Sequence, residues 1–350
     1  MSRRSPTLVV AVLAVAALAA LPGRAAAQQP SVPGTAQMSI ADLRAWKSIR
    51  GQVVSPDGRW LAYQLVPNDG DASVVIRSTT GDTEHRFPVG VVAAASFGRG
   101  GGAPAITISG DSRWALFSVA PTTREAERLR STHRPAKSQA ALVNLATGKE
   151  QRFPRIRRYA FAGEHPEWIA LYTDAPEAAA GATEAAGGGR GGSPDAAGSA
   201  APARVDASDL LLYNLASGEM VNIGNVSDFG FDKTGTYLAY TIETRDRTGD
   251  GIQLRDLRTS VVRALDGDRA IYRRLAWADS GLALAALRLV PDSAARDTAV
   301  SVVAFTGFGP GGPARTDLDL AGRADAPAGL AISPDRGPTW SEDLHTLYFG

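Results

Sequence analysis

The chain contains 350 residues, with 37 Lys and Arg against 36 Asp and Glu, which gives a formal net charge of +1. A near-neutral chain without a basic stripe is not expected to bind nucleic acid. The absence of cysteine excludes disulfides, thiol nucleophiles and thiolate metal sites.

The N-terminus has the three parts of a secretory signal peptide. Arg3 and Arg4 precede a 14-residue apolar run, Leu8–Leu21, and Ala25–Ala27 form a small-residue cleavage site. A membrane anchor is the alternative, but it needs roughly 20 apolar residues to cross the hydrocarbon core. A twin-arginine export signal is also disfavoured, because the residues around the arginine pair match it poorly. We therefore predict a signal peptide at residues 1–27, a periplasmic or secreted mature protein, and no membrane contact after cleavage.

Two short features are expected before the first strand. Residues 28–38 are predicted to be a flexible N-terminus. The segment "SIADLRAWKSI" is typical of a short helix over Ile40–Ile49, because Ser39 can cap it and Asp42 occupies the third helical position.

The stretch "VVSPDGRWLAYQL", Val53–Leu65, predicts a β-hairpin. Its Pro-Asp-Gly is a turn, because Pro fixes φ, Asp bonds its own backbone and Gly accepts positive φ. The following residues alternate between two faces. Leu61, Tyr63 and Leu65 form the more apolar face, which we assign to a core.

This pattern recurs along the chain. Aligned on the residue that matches Tyr63, the copies have anchors at Tyr63, Phe117, Leu171, Tyr240, Ala286 and Phe349. A second hairpin follows at Val74–Phe87, Ala141–Phe153, Leu211–Ile223 and Ile252–Leu265. Two hairpins per unit give four antiparallel strands, which is one propeller blade. The sequence therefore predicts an all-β protein, a β-propeller of about five and a half blades over residues 39–350.

Three segments interrupt the repeat. Thr122–Lys137 predicts a polar helical insertion between the two hairpins of the second blade. Residues 175–208 are rich in Ala, Gly, Pro and Ser, and a disordered surface loop is expected there. Gly98–Ala103 ("GRGGGA") is read as an interblade loop rather than a dinucleotide site, because a strand and not a helix follows it.

No stretch carries a catalytic or metal-binding motif. There is no G-x-S-x-G. Asp246–Gly251 ("DRTGDG") begins like a calcium loop but lacks the later ligands, so a hairpin turn is favoured. The histidines lack metal-ligand spacing and are predicted to be surface or turn residues: His85, His133, His165 and His345. The recurring tryptophans are assigned to packing: Trp60, Trp114, Trp168, Trp277 and Trp340. No cofactor and no metal are predicted.

A secreted chain that begins "DLRAWKSIRGQVVSPDGRWLAYQL" and alternates such hairpins with "LLLYNLASGE"-like ones resembles a known family. It is similar to the N-terminal propeller of the prolyl oligopeptidase family of serine peptidases, including the dipeptidyl-peptidase IV and acylaminoacyl-peptidase branches. TolB-type propellers share the hairpins. The resemblance covers roughly Ile40 to Gly350.

The resemblance implies a non-catalytic propeller that restricts a serine peptidase to short peptides. The catalytic Ser, Asp and His would lie in a C-terminal α/β-hydrolase domain of the same polypeptide, which would be the propeller's partner. Because Pro338–Gly350 contains only an inner hairpin, and an open propeller leaves strand edges exposed, we expect the chain to be incomplete and inactive alone.

The dipeptidyl-peptidase branch holds the substrate amine with adjacent glutamates from a propeller insertion. The corresponding candidates are Glu125 and Glu127, although Ala126 separates them, and a solvated helix face is the alternative. The alternative function is a TolB-like periplasmic propeller that binds protein partners without catalysis. A propeller of another enzyme, or of lectin-like type, is a third possibility.

Overall fold

The computed structural model describes residues 38–91, 105–174, 207–292, 297–309, 311–320, 323 and 330–350. The chain divides into two units, Met1–Arg44 and Ala45–Gly350. The predicted signal peptide, the flexible N-terminus up to residue 37, the "GRGGGA" loop and residues 175–206 lie outside the described residues. The predicted end of the disordered loop at residue 208 is wrong, because Ser208 begins a strand that pairs with the following one.

A short helix, α1 (Ile40–Ala45), belongs to the first unit except for its last residue. Its cap is reciprocal, because the Ser39 backbone N–H donates to Asp42 Oδ2 (2.8 Å) and the Asp42 N–H donates to Ser39 Oγ (3.1 Å). The predicted extension of this helix to Ile49 is wrong. Backbone pairing within the first sheet begins at Lys47 and competes with the helix there.

The second unit is built from antiparallel four-stranded blades. Blade 1 consists of β1 (Lys47–Val54), β2 (Trp60–Pro67), β3 (Ala72–Ser78) and β4 (Glu84–Gly90). Blade 2 consists of β5 (Ile106–Ile108), β6 (Trp114–Val119), β7 (Gln139–Asn144) and β8 (Glu150–Pro154). The second helix, α2 (Thr123–Ser131), lies between β6 and β7, which confirms the predicted helical insertion.

Blades 3 and 4 form one continuous sheet. Blade 3 contains β9 (Ile156–Phe161), β10 (Trp168–Thr173), β11 (Ser208–Asn214) and the first half of β12 (Met220–Phe231). Blade 4 contains the second half of β12, β13 (Tyr237–Ile242), β14 (Gly251–Asp256) and β15 (Val262–Gly267). The strand β12 passes from one blade to the next near Asn225, whose φ is +59°.

The last described blades follow the same order. Blade 5 contains β16 (Ile271–Trp277), β17 (Ala283–Asp292), β18 (Asp297–Thr306) and β19 (Ala314–Leu318). A hairpin of β20 (Thr339–Trp340) and β21 (Leu347–Tyr348) comes next. Because antiparallel four-stranded sheets succeed one another in chain order, the fold is the all-β, β-propeller type predicted from the sequence.

The repeat has one register in blades 1 to 5, whereas the sixth predicted anchor, Phe349, lies one residue past β21. The anchors Phe117, Leu171, Tyr240 and Ala286, like Tyr63, each occupy the fourth position of the second strand of their blade. All four predicted second hairpins are confirmed, as the pairs β3–β4, β7–β8, β11–β12 and β14–β15.

Alternate residues of each second strand pack against opposite neighbours. In blade 2, Phe117 packs with Ala62 and Ile76 of blade 1. The adjacent Leu116 instead packs with Ile169 and Leu171 of blade 3. The apolar clusters between blades 3 and 4 and between blades 4 and 5 repeat this arrangement. The core therefore consists of apolar layers between successive blades.

The predicted core face of β2 is wrong. Leu61, Tyr63 and Leu65 are only half-buried, whereas Ala62 is fully buried and Val66 is 9% exposed on the opposite face. In blades 2 to 5 the equivalent of the Tyr63 face packs against the preceding blade. Blade 1 has no preceding blade among the described residues, so its inward face is the one toward blade 2.

The turns between the first and second strands pack backbone to backbone. Gly163 has φ +69° and Gly235 has φ +73°. A Cβ on Gly163 would lie 2.4 Å from the Gly235 nitrogen, and one on Gly235 would lie 2.4 Å from the Ala162 oxygen. Glycine is required at both positions because of the left-handed conformation and the close approach.

Two tryptophans link neighbouring blades by hydrogen bonds. Trp277 Nε1 donates to the Gly230 oxygen of blade 4 (3.0 Å), and Trp340 Nε1 donates to the Ala276 oxygen of blade 5 (3.3 Å). Both are the last residue of the first strand in their sheet. Trp60, Trp114 and Trp168 instead begin second strands.

Candidate functional site on the inner strands

First strands of neighbouring blades contact each other as well as their own sheets, in the pairs β1–β5, β9–β12, β12–β16 and β16–β20. These inner strands are β1, β5, β9, the second half of β12, β16 and β20. In the described chain, charged residues gather on the inner strands of blades 3, 4 and 5.

A salt bridge joins the inner strands of blades 3 and 4. Arg158 Nη2 on β9 donates to Asp228 Oδ1 on β12 at 2.8 Å and to the Phe229 carbonyl oxygen at 3.0 Å. The Arg158 guanidinium also lies 4.0 Å from the centroid of the Phe229 ring. This combination of a charge-assisted bond and a cation–π contact fixes the guanidinium in one orientation.

Asp228 extends this contact to a third inner strand. Its Oδ2 accepts a hydrogen bond from the Leu275 N–H of β16 at 3.4 Å. The Asp228 side chain is 23% exposed and the Arg158 side chain 41% exposed, so both can be reached by solvent. One carboxylate therefore ties together three blades at a surface that a ligand can contact.

Further arginines flank the bridge. The Arg157 guanidinium lies 4.5 Å from the centroid of the Tyr172 ring, and Tyr172 Oη donates to the Val226 oxygen (2.7 Å). On β16, Arg274 is exposed and has φ +59° at a register shift of the strand. Its neighbour Arg273 turns toward blade 4.

Arg273 forms a more deeply buried ion pair. Its Nη1 donates to Glu243 Oε2 at 3.0 Å, and the side chains are 16% and 7% exposed. Arg273 Nη2 has no hydrogen-bond partner within the described part of the chain. Removal of either charge would leave the other uncompensated, so the pair fixes the position of β16 against blade 4.

In a second charged cluster, the acidic and basic side chains bind each other. Asp266 accepts hydrogen bonds from Tyr272 Oη (2.9 Å) and Arg315 Nη1 (2.6 Å), and Arg288 binds Asp268. Burial first, and then the Asp266 carboxylate, raise the pKa of Tyr272 well above its ordinary value. This cluster stabilises blade 5 against blade 4 and leaves little charge for a ligand.

The predicted substrate-binding residues lie elsewhere. Glu125 and Glu127 are exposed on α2, and the Glu125 N–H donates to Thr122 Oγ1 as part of the helix cap. The helix is fixed to blade 1, because Thr123 donates from both N and Oγ1 to Asp71 Oδ1. No contact between these glutamates and the inner-strand arginines occurs in the ranges that the structure describes. Their predicted role stays a prediction.

The histidines do not gather. His165 and His345 lie in turns and His133 follows α2, as predicted. His85 is the exception, because it is half-buried on β4 with its ring 6.2 Å from that of Trp60. Within the described ranges no group of three or more His, Asp or Glu side chains could hold a metal ion.

Sequence reasoning missed the inner-strand site, although a signal was present. The segments "RIRRYAF" and "YRRLAW" each place an arginine pair, Arg157–Arg158 and Arg273–Arg274, at the same position of a first strand. Such a pair in two blades of one repeat indicates a shared surface. The partner Asp228 lies 70 residues from Arg158, and only the fold brings the two together.

Comparisons with known proteins agree with the fold. No family model and no curated protein matches the chain. TolB from Acinetobacter baumannii is a similar solved structure, with 12% identity and a TM-score of 0.34 over 79% of this chain. The chain spans 55% of that TolB chain.

Two peptidase structures are also similar. The β-propeller domain of the trilobed protease from Pyrococcus furiosus matches with 10% identity and a TM-score of 0.41, covering 84% of this chain and 74% of that one. Acylaminoacyl peptidase from Pyrococcus horikoshii matches with 10% identity and a TM-score of 0.38, covering 74% and 39%. At these values the similarities assign no function.

The described helices are both too short and too polar to cross a membrane.

Proposed function

We propose that this chain is the non-catalytic, substrate-selecting propeller of a secreted serine peptidase that acts on short peptides. The observation that supports it is the group of charged residues on the inner strands, where Arg158 of β9 binds Asp228 of β12 and Arg274 is exposed on the neighbouring strand β16. Exposed guanidinium groups on neighbouring inner strands attract carboxylates. Short peptides carry such groups at the C-terminus and on acidic side chains.

The surface is suited to selection rather than to chemistry. Arg158 and Asp228 already bond each other, and neither side chain bonds a Ser, Thr or His side chain of the described residues. Guanidinium groups also stay protonated at neutral pH and cannot act as general bases. In this proposal the Ser, Asp and His belong to an α/β-hydrolase domain of the same polypeptide.

Peptide binding tests the selecting role directly. Isothermal titration calorimetry compares an acidic and a basic hexapeptide, both with free termini, on the chain with its leader removed. We expect the acidic peptide to bind more tightly and Arg274→Ala to weaken its binding roughly tenfold. Arg258→Ala removes an exposed arginine in the β14–β15 turn and is the matched control. Equal affinity for the two peptides, or no effect of Arg274→Ala, contradicts the proposal.

The glutamates of α2 enter the proposal as a separate element. If Glu125 and Glu127 hold a substrate ammonium, the double change to glutamine weakens binding of a peptide with a free N-terminus. The same peptide with an acetylated N-terminus is then unaffected by the change. An equal effect on both peptides, or no effect, removes the glutamates from the site.

The second candidate function is that of a TolB-like propeller that binds a protein partner. It is favoured by a cavity of 350 Å³ among the first turns of blades 3, 4 and 5, lined by Glu164, His165, Lys233, Thr234 and Asp279. Affinity capture on wild-type chain and on a Lys233→Glu variant distinguishes the two functions. A protein retained by the first and lost by the second supports the TolB-like function.

A further inference from the structure

A cleft of 630 Å³ separates blades 1 and 2 on the side of their hairpin turns. We call it the first interblade cleft. It is lined by the turns β1–β2 and β3–β4 of blade 1 and by the turns β5–β6 and β7–β8 of blade 2. It lies apart from the inner-strand arginines and has no role in the function proposed above.

The two walls of the cleft carry the same turn. In blade 1, Ser55 Oγ donates to Asp57 Oδ1 (2.5 Å), and the Arg59 N–H donates to the same oxygen (3.0 Å). In blade 2, Ser109 Oγ donates to Asp111 Oδ1 at 2.6 Å, and the following arginine N–H donates to it at 3.1 Å. The repeat therefore presents one Asp/Arg pair twice, in adjacent blades.

The walls are held rigidly. The Thr79 N–H donates to the Arg59 oxygen (2.9 Å), so the two turns of blade 1 are bonded together. The Leu145 N–H donates to the Arg113 oxygen (2.9 Å) and does the same in blade 2. The Asp57 N–H donates to Ser112 Oγ across the cleft (3.2 Å). A preorganised cleft loses little conformational entropy when a ligand binds.

Each pair keeps outward atoms that its own turn does not use. Oδ1 of Asp57 and of Asp111 is used by the turn, and Ser112 of the opposite wall lies beside the Asp57 carboxylate, while Oδ2 of each aspartate forms no hydrogen bond within its own turn. The same is true of the guanidinium groups of Arg59 and Arg113, which are exposed. The pairs thus offer two carboxylate acceptors and two forked donors, with no net charge.

An aromatic ring and an amide complete the lining. Trp60 is half-buried and lines the cleft, while its ring stacks on His85. Asn144 Oδ1 accepts from the Thr147 N–H (3.0 Å) and Oγ1 (3.1 Å), which leaves Asn144 Nδ2 as a further donor. An indole offers apolar surface beside these polar groups.

These features define the ligand by its charge and hydrogen bonding. The two guanidinium groups would repel a metal cation, and the two carboxylates would repel a phosphate. The cleft lacks an apolar side pocket for a peptide side chain, because Trp60 is the one large apolar residue among those that line it. The lining therefore suits an uncharged ligand that donates and accepts hydrogen bonds along its whole length. Such a ligand also needs an apolar face to lie against the indole.

We propose that the first interblade cleft binds a neutral oligosaccharide. Vicinal hydroxyls donate to the free Oδ2 atoms of Asp57 and Asp111 and accept from Arg59 and Arg113, and a sugar ring lies against Trp60. The two Asp/Arg pairs, one in each blade, bind successive sugar units.

The test is calorimetric titration of the leaderless chain with maltohexaose, cellohexaose, chitohexaose and mannohexaose. Hexagalacturonate and a neutral hexapeptide serve as comparison ligands. We expect at least one neutral hexasaccharide to bind, and Arg59→Ala and Arg113→Ala each to weaken it roughly tenfold. Arg258→Ala, in a turn outside the cleft, leaves the affinity unchanged, and circular dichroism checks the fold of each variant.

The other outcomes overturn the proposal. The first is that no neutral hexasaccharide binds, and the second is that binding survives both arginine changes. The third is that hexagalacturonate or the hexapeptide binds more tightly than the neutral sugars and that the arginine changes abolish this binding. If either arginine variant fails to fold, Asp111→Asn, which keeps an acceptor for the turn, replaces it with the same expected loss of affinity.

Discussion

Equivalent residues of blades 1 and 2 are buried to different extents, so the same substitution is expected to lower the free energy of unfolding by different amounts. Phe117 and Tyr63 are both fourth in the second strand of their blade, but Phe117 is fully buried and Tyr63 is half-buried. A buried aromatic side chain removes roughly 200 Å² from water, which at about 25 cal/mol per Å² amounts to about 5 kcal/mol. Phe117→Ala is therefore expected to lower the free energy of unfolding by about 4 kcal/mol, because Ala keeps part of that burial.

The corresponding loss for Tyr63→Ala is about 2 kcal/mol, because part of its surface is already solvated and a site open to solvent is not left as a closed cavity. Urea unfolding followed by tryptophan fluorescence measures both. With a slope of about 3 kcal/mol per M, the midpoints fall by about 1.3 M and about 0.7 M. A loss for Tyr63→Ala equal to or greater than that for Phe117→Ala would refute the assignment of the two faces.

Three further predictions concern single contacts. Trp277→Phe removes the hydrogen bond to the Gly230 oxygen, and a loss of about 1 kcal/mol in the free energy of unfolding is expected from urea titration. Hydrogen bonds to the Asp57 carboxylate, above all the one from Ser55, lower the pKa of Asp57 from 3.8. The ionised carboxylate therefore stabilises the folded chain fully above pH 3.8, and this stabilisation is lost as the pH falls below that value. Between pH 5 and pH 2, the free energy of unfolding should depend less on pH in Asp57→Asn than in the wild-type chain. The pKa of Tyr272 is shifted in the opposite direction, upward from 10. The protonated phenol therefore stabilises the folded chain below pH 10, and this stabilisation is lost as the pH rises above 10. Unfolding at alkaline pH should not show this loss in Tyr272→Phe.

Much of the fold could be predicted because each repeat is recognisable from a short stretch of neighbouring residues. The apolar alternation around Tyr63 recurs at the same register in the second strands of blades 1 to 5, and the structure confirms that register, although blade 3 lacks the Asp-Gly turn. The buried face of blade 1 could not be predicted, because periodicity distinguishes two faces but not which neighbour covers each. The end of α1 at Ala45 was missed because sheet pairing outweighs helix propensity from Lys47 onward.

The site was less predictable than the fold. The bridge between Arg158 and Asp228 spans 70 residues and two blades, and its formation depends on how β9 and β12 pack. The predicted Glu125 and Glu127 were chosen from a family resemblance and lie on an insertion helix. The arginine pairs of β9 and β16 were the available signal, since the same charged dipeptide on two inner strands places one arginine of each pair on the same face.

The central proposal is that this propeller serves a serine peptidase, and labelling of the native protein tests it most directly. An antibody raised against residues 45–350 precipitates the protein from the cells that produce it, and a fluorophosphonate probe then reports an activated serine. The account predicts that the polypeptide carrying this sequence is labelled and cleaves short acidic peptides but not folded proteins. An unlabelled polypeptide that cleaves no peptide, and that co-precipitates with a stable protein partner, would contradict it and favour the TolB-like function.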